Sequence, residues 1–324
     1  MKLHGLVDLH VSAERILREP TFWDRVKKKF GGEPDLRTDR KRAALEATAV
    51  VEATRKALGR LGATNAVSLV INDQVLFQDF DGKPDDLGDL FLAFSDHESV
   101  FGGGFDLLRL AVEHREAGLH LILEVIARTE HADDEPAARI VVSGRISDFE
   151  PRKGEDADAY RERVQPLTTD ASLIEVSRRQ FESFVDRVAD AMRAAMPEAR
   201  VEVRKAEAQV TRPSDRPSRQ QAPQPTDPRY DPYDRYYPSP FDSMLSIMMW
   251  TSLLSFAMPP HVMVVNQQGD ALGSGQDAAA IDQAGDHGGG DPGGDSGGDG
   301  GGDGGGDDGG FDGGDFGGDF GDML

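Results

Sequence analysis

The spacing of apolar residues along the chain begins with a helical pattern. Small or apolar side chains recur every three or four residues between Leu36 and Leu61, as on one face of an α-helix. Gly62 favours the end of this helix, because glycine adopts the left-handed conformation found there without strain. Two shorter segments, Ser12–Pro20 and Thr21–Phe30, also favour helical structure. We therefore expect two or three helices at the start of the chain.

An alternation of apolar and polar residues, typical of strands, then replaces the helical pattern. Asn72-Asp73 separates the first two strand candidates and tolerates the positive φ angles of a two-residue hairpin turn. Ala117-Gly118 marks a second turn. Because strands joined by short turns run in opposite directions, this order predicts an antiparallel sheet. The strand candidates are Ala66–Ile71, Gln74–Phe80, Phe105–Glu116, Leu119–Glu130 and Ala138–Ile146.

Helical periodicity returns after these strands. Ser177–Met196 places large apolar side chains on one side, and Ala157–Val164 is a weaker helical segment. Arg200–Lys205 alternates again and predicts a last strand. The order predicts an α+β fold, with N-terminal helices and an antiparallel sheet of five to six strands covered by helices on one face. We expect residues 1–210 to form this globular domain.

The C-terminal third has the composition of a chain that does not form its own core. Residues 211–240 are rich in Pro, Arg, Gln and Tyr, and we expect an extended linker because they bury too little apolar area to offset the entropy of ordering. Residues 241–259 are mostly apolar, with one Asp and several hydroxyl residues, and are predicted to be helical. Residues 260–324 hold 14 Asp and no Lys, Arg or Glu, which predicts a disordered, acidic Gly/Asp-rich tail.

The net charge of −22 is concentrated in this tail. Residues 1–210 contain 31 Lys and Arg against 39 Asp and Glu, without the basic stripe of a nucleic-acid-binding surface. We therefore expect no nucleic-acid partner. The 27 Arg against 9 Lys favour a bacterial genome rich in G and C, and Met1 to Arg15 lack the pattern of a secretory signal. These features predict a bacterial, cytoplasmic protein.

The apolar segment is the main candidate for an interaction site, because its flanking sequences offer no local core for it to join. It could dock onto the domain or self-associate through its adaptable methionines. Membrane contact is an alternative, since the length of residues 241–258 lies at the lower edge of the range that spans a bilayer. A third interpretation is an isolated apolar stretch without a partner. The candidate contact residues are Met244, Leu245, Ile247, Met248, Met249, Trp250, Leu253, Leu254, Phe256 and Met258.

The tail repeats Gly and Asp without the regular apolar positions that stacked calcium-binding repeats bury. We therefore expect only weak, non-specific binding of divalent cations. Regularly spaced aromatic residues near its end predict docking points for a basic partner, with a purely solubilising tail as the alternative. These residues are Phe311, Phe316 and Phe320.

The predicted domain carries little recognisable chemistry. The chain has no cysteine, which excludes disulfides, thiolate catalysis and cysteine-based metal sites. His114 and His120 flank the Ala117-Gly118 turn and could approach each other to bind zinc, although polar residues at a strand end are the simpler interpretation. No spacing predicts catalytic residues, and no motif predicts a cofactor.

Together these patterns predict a non-enzymatic interaction or adaptor protein. Its α+β domain would bind a protein partner or a second copy, and a flexible linker would present the apolar docking segment and the acidic tail. The alternative is a membrane-associated protein, peripheral or anchored by residues 241–258. An enzyme is a third possibility, because an active site assembled from distant residues leaves no local motif.

Overall fold

The protein has a mixed α+β fold built on one large sheet. The computed structural model describes residues 1–11, 39–79, 105–129, 131, 135–213, 231–255, 261–266 and 271–285. Nine strands within these ranges join into a single sheet, with several helices packed on it. The predicted α+β class is therefore confirmed, whereas the predicted number of five to six strands is wrong.

The sheet has the strand order β3-β2-β4-β5-β6-β1-β7-β8-β9. Neighbouring strands are antiparallel, except for β7 and β8, which run parallel. The strands are β1 Lys2–His10, β2 Asn65–Ile71, β3 Gln74–Gln78, β4 Leu107–Glu116, β5 Leu119–Arg128, β6 Ala138–Ile146, β7 Arg200–Thr211, β8 Val262–Val265 and β9 Ala271–Ser274.

Six helices lie within the described residues. They are α1 Asp39–Arg60, α2 Ala157–Thr168, α3 Ala171–Ala195, α4 Pro232–Tyr236, α5 Asp242–Ser255 and α6 Ala278–Gly285. A 3₁₀ turn, Ser147–Phe149, lies between β6 and α2 in the sequence. Helices α1 and α3 cover one face of the sheet, which we call the helix face, and the main hydrophobic core lies between these two layers.

Helix α3 lies close to the centre of the sheet because two glycines leave space for it. A Cβ atom at Gly5 of β1 would stand 2.8 Å from Cγ2 of Val185, and one at Gly144 of β6 would stand 3.1 Å from Cδ2 of Phe181. Across β1 and β6, Gly5 pairs with Val142 and Leu3 pairs with Gly144. Both glycines therefore lie in the same central part of the sheet. Glycine allows this close packing of helix on strand.

The start of the chain differs from the prediction. Lys2–His10 forms β1, which lies between β6 and β7 and buries Leu3, Val7 and Leu9 in the core. The helices expected over Ser12–Pro20 and Thr21–Phe30 lie outside the described residues. Helix α1 agrees with the periodic stretch that ends at Leu61. The chain therefore opens with a central strand.

The hairpins agree with the sequence pattern. Asn72 and Asp73 have φ angles of 47° and 64°, as the predicted two-residue turn between β2 and β3 requires. The Asn72 side-chain oxygen also accepts hydrogen bonds from the backbone amides of Asp106 and Leu107, at 2.8 and 3.0 Å. Ala117 and Gly118 likewise have positive φ between β4 and β5.

The C-terminal part of the described chain differs from the expected linker and tail. Residues 231–236 include a helical turn, and residues 261–285 contain β8, β9 and α6, although the tail was predicted to begin at Pro260. Strand β8 pairs with the end of β7 and extends the sheet. The compact unit of the protein consequently spans Met1–Gly285, rather than ending near residue 210.

Candidate functional site

The face of the sheet opposite α1 and α3 carries many polar side chains. Residues 231–241, which we call the tyrosine strap, cross this second face. The Tyr233 ring is 1% exposed and packs against Val67, Ala111 and Ile122. Asp231 caps α4 by accepting a hydrogen bond from the Tyr233 amide, and Pro232 occupies the first turn of α4, where a missing amide hydrogen is tolerated.

Three tyrosine hydroxyls hold the strap on the sheet. Each donates a hydrogen bond to an oxygen of β4 or β5. These hydrogen bonds attach the strap, which contains few aliphatic residues, to the sheet. The bonds run from Tyr233 to the His120 carbonyl at 2.5 Å, from Tyr236 to Glu124 at 3.2 Å, and from Tyr237 to Glu113 at 2.7 Å.

His120 is the centre of a charged cluster beside the strap. Its side chain is 1% exposed, and its Nε2 lies 3.0 Å from Glu113 while its Nδ1 is hydrogen-bonded to Glu150. Arg115 bridges the same two carboxylates, at 2.9 Å to Glu113 and 2.8 Å to Glu150. Two cations and two carboxylates therefore balance one another when His120 is protonated.

The ionisation of this cluster follows from these contacts. Burial opposes the charged imidazole, but the contacts with Glu113 and Glu150 outweigh it and raise the pKa of His120. Burial likewise opposes the Glu113 carboxylate, yet the close contact with His120 and the hydrogen bond from Tyr237 lower the pKa of Glu113 to about 2. The cluster is thus a set of mutually stabilised charges.

Arg145 connects the strap to the beginning of α5. Its guanidinium donates hydrogen bonds to Asp242 at 2.9 Å and to Asp231 at 3.4 Å, and lies 4.2 Å from the centre of the Tyr233 ring. Burial acts to lower the pKa of Arg145, but the neighbouring carboxylates of Asp231 and Asp242 raise it. This side chain therefore stays charged and joins three elements.

A cavity of about 250 Å³ lies between the His120 cluster and Arg145. Its lining includes Arg115, His120 and Glu150 of the cluster, together with Tyr233, Tyr237 and Asp242. These charged groups already pair within the protein, as described above. The cavity is a structural feature of the strap, and its lining selects no particular class of ligand.

Helix α5 is attached to the rest of the protein by its inner face. The buried side chains of this face are Leu245, Met249, Trp250 and Leu253. The hydroxyl of Ser252 is hydrogen-bonded to that of Thr168 in α2 at 2.9 Å, and Phe241 stacks on Tyr160 with ring centres 4.6 Å apart. The structure thus differs from the expectation of an apolar segment on a flexible tether, because α5 is part of the core.

The outer face of α5 carries two large apolar side chains among small residues with hydroxyl groups. Ile247 is 56% exposed and Leu254 is 37% exposed, and they lie on the same side because seven residues make two helical turns. Thr251 is exposed between them, and its hydroxyl donates to the Ile247 carbonyl at 2.9 Å, so its own helix satisfies its polar group. No charged residue follows Asp242 in α5.

The structure distributes the predicted contact residues among different environments. Four of them are buried, Met244 and Met248 are half-buried, and Ile247 and Leu254 are exposed. Phe256 and Met258 lie outside the described residues. The predicted tail positions Phe311, Phe316 and Phe320 also lie outside them.

His114 and His120 do not share a site. His120 pairs with Arg115 across β4 and β5, whereas His114 pairs with Leu121, so the two imidazoles lie on opposite faces of the sheet. His114 stacks on Phe184 of α3, with ring centres 5.5 Å apart. Within the described ranges, no group of three or more His, Asp and Glu side chains is arranged to hold a metal ion.

Sequence reasoning missed the strap and its partners. Tyr233, Tyr236 and Tyr237 follow an Asp-Pro pair at the spacing of a capped helical turn, and this was the available local signal. Arg145 and Glu150 gave no such signal, because their roles depend on residues far along the chain.

None of the helices in the described part of the chain combines the length and apolar character needed to cross a bilayer. Comparison with known proteins found no family model, curated protein or solved structure that matches the chain.

Proposed function

We propose that the chain is a non-enzymatic interaction protein that docks another polypeptide on the outer face of α5. The observation that carries this proposal is the exposure of Ile247 and Leu254 on a helix whose opposite face is buried. Large apolar side chains on every side of a helix are normally covered, so the uncovered Ile247 and Leu254 favour a binding role for this face.

The attachment of α5 supports this role. The Arg145–Asp242 contact holds its first residue, and the Ser252–Thr168 hydrogen bond holds its inner face near the end. A face held in one orientation loses little conformational freedom when a partner binds, which favours affinity. The same attachment argues that α5 acts as part of the domain and does not act as a detached segment.

The charge distribution favours a polypeptide over a lipid surface as the partner. Helices that lie in a membrane interface usually carry Lys and Arg on their polar side, which attract anionic lipids. Helix α5 has neither residue, and the chain has a net charge of −22. An anionic membrane would therefore repel the protein. The proposal retains the cytoplasmic location expected from the sequence.

Site-specific photo-cross-linking tests this function. A benzophenone amino acid at position 247, in cells that express the full chain, should yield a covalent adduct with a polypeptide that mass spectrometry identifies. Leu254→Glu should strongly reduce this adduct, because a charge on the docking face opposes burial.

The same probe at Val176 serves as a matched control, because Val176 is also exposed, at 49%, but lies on α3. The proposal is contradicted if position 247 yields no more adduct than position 176. An adduct that survives Leu254→Glu unchanged would equally exclude the outer face as the docking surface.

A further inference from the structure

We infer that the polypeptide docked on α5 is the α5 helix of a second copy, packed antiparallel about a two-fold axis. This inference rests on the proposed function, since it names the occupant of the same face. The order of residues along that face, its charge and its size support this occupant.

The exposed residues of α5 form a self-complementary sequence. A two-fold axis that passes between Trp250 and Thr251 places Ile247 opposite the partner subunit's Leu254, and Leu254 opposite the partner subunit's Ile247. Two copies of one patch related in this way form an isologous contact, in which every pairwise contact occurs twice. A large side chain therefore meets a large side chain at both ends of the contact.

The middle of the face permits two helices to approach. Thr251 lies beside the axis, and its hydroxyl is already bonded to the Ile247 carbonyl. The short side chain lets the helices pack closely, and burying its hydroxyl leaves no unsatisfied polar group. Ser243 and Ser255, the other exposed residues, are also small.

Charge explains why this face, in particular, suits a second copy. A chain with a net charge of −22 repels its own kind across most of its surface. The α5 face carries no charge beyond Asp242, and that carboxylate is paired with Arg145. Two copies can therefore meet there without placing like charges in contact. A basic partner, by contrast, would find no carboxylate on this face to recognise.

The size of the face sets the expected strength of the pair. A helix of 14 residues is about 21 Å long, so one helix pair buries much less than the roughly 1,600 Å² of a standard stable interface. We therefore expect a reversible dimer with a Kd on the order of micromolar. The mass of the particle should rise with concentration from 35.2 kDa towards twice that value.

Single cysteines provide a direct test, because the chain contains none. Under mild oxidation, Thr251→Cys in the full chain should form a disulfide-linked dimer. Mixed Ile247→Cys and Leu254→Cys proteins should give severalfold more linked dimer than either protein alone. Val176→Cys is the control and should stay monomeric. Light scattering of the unmodified chain should show dimer formation, and Leu254→Glu should remove it.

The possible outcomes separate the two proposals. If the probe at position 247 captures a different protein while Thr251→Cys stays monomeric, the second copy is excluded and the docking function stands. If the mixture gives no more linked dimer than Ile247→Cys alone, the antiparallel arrangement is overturned. Co-sedimentation with phosphatidylcholine–phosphatidylglycerol vesicles, lost in Leu254→Glu, would instead assign the face to lipid and overturn both proposals.

Discussion

The guanidinium of Arg145 donates a hydrogen bond to the carboxylate of Asp242 at 2.9 Å, although the two residues are 97 positions apart in the sequence. This contact joins the end of β6 to the first residue of α5. The same guanidinium reaches Asp231 at the start of the tyrosine strap. One side chain thus positions both the strap and the helix that presents the proposed docking face.

Removing Arg145 should therefore destabilise the protein. Arg145→Ala leaves Asp231 and Asp242 without the guanidinium that compensates their partial burial, and we expect a loss of about 3 kcal/mol in the free energy of unfolding. Urea denaturation of the full chain measures it. Arg161→Ala is the control, because Arg161 is 52% exposed and pairs with a highly exposed Asp158. It should cost less than about 1 kcal/mol, and equal losses would contradict the role of Arg145.

The attachment of α5 to the core predicts that substitutions on its buried and exposed sides differ in their effect on stability. Met249→Ala should lower the free energy of unfolding by about 3 kcal/mol, because Met249 is 0% exposed and its truncation leaves a cavity. Ile247→Ala, on the exposed side, should change the free energy of unfolding by about 0.5 kcal/mol or less, when measured at concentrations below dimer formation. Chemical denaturation compares the two. Similar small effects would mean that α5 is tethered loosely.

The tyrosine hydroxyls of the strap should contribute measurably to the stability of the fold. Tyr237→Phe removes the donor to Glu113, a charged acceptor, and should lower the free energy of unfolding by about 1.5 kcal/mol. Loss of that donor should also raise the pKa of Glu113, which NMR titration of the carboxyl carbon can follow. An unchanged Glu113 titration would show that the strap does not hold this carboxylate.

The charges of the His120 cluster predict how the stability of the fold depends on pH. The pKa of His120 is raised above its ordinary value of 6.5, so its contribution to stability is complete below that value and is lost as the pH rises through the raised pKa. The pKa of Glu113 is lowered to about 2 from 4.5, so its contribution is present above 4.5 and is lost as the pH falls towards 2. The cluster should therefore stabilise the fold most between about pH 4.5 and 6.5.

Replacing His120 with a neutral side chain isolates the contribution of its charge to stability. The difference in free energy of unfolding between the unmodified chain and His120→Gln should be largest near pH 5.5 and should shrink at alkaline pH, because the charge on the imidazole is then lost. Denaturation curves recorded across this pH range measure the difference. A difference that is constant with pH would show that His120 is not charged in the folded protein.

Two glycines should respond oppositely to alanine. Gly144→Ala places a Cβ atom 3.0 Å from Leu121 and 3.1 Å from Phe181, so it should push α3 away and cost about 2 kcal/mol. Gly59→Ala lies in α1, where the nearest atom is 4.0 Å away, and should stabilise the fold by roughly 0.5–1 kcal/mol. Thermal unfolding distinguishes them, and stabilisation by Gly144→Ala would contradict the close approach of α3.

Local patterns predicted those parts of the fold whose cause is local. The periodic side chains of α1 and α3 and the turn at Asn72-Asp73 depend on near neighbours, so they could be recognised along the chain. The position of β1 in the sheet could not be recognised in this way. Its pairing with β6, as at Asp8 and Arg139, joins residues 131 positions apart, and no short stretch of sequence encodes such a register.

The strap shows a second limit of local reasoning. Its composition resembles a disordered linker because it contains few aliphatic residues, yet Tyr233, Tyr236 and Tyr237 find acceptors on a polar sheet face. Those acceptors belong to β4 and β5, more than a hundred positions earlier. The stabilising contact therefore exists only once the sheet has formed.

For the proposed docking site, the sequence by itself determined that residues 241–258 form the most apolar segment and that α5 is uncharged beyond Asp242. Only the tertiary structure decided that Met249 and Leu253 face the core while Ile247 and Leu254 face outwards. The physical reason is that α5 is apolar all round, so its residue pattern does not favour one buried side. The surface supplied by α2 and β7 selects which side is covered and which remains available to a partner.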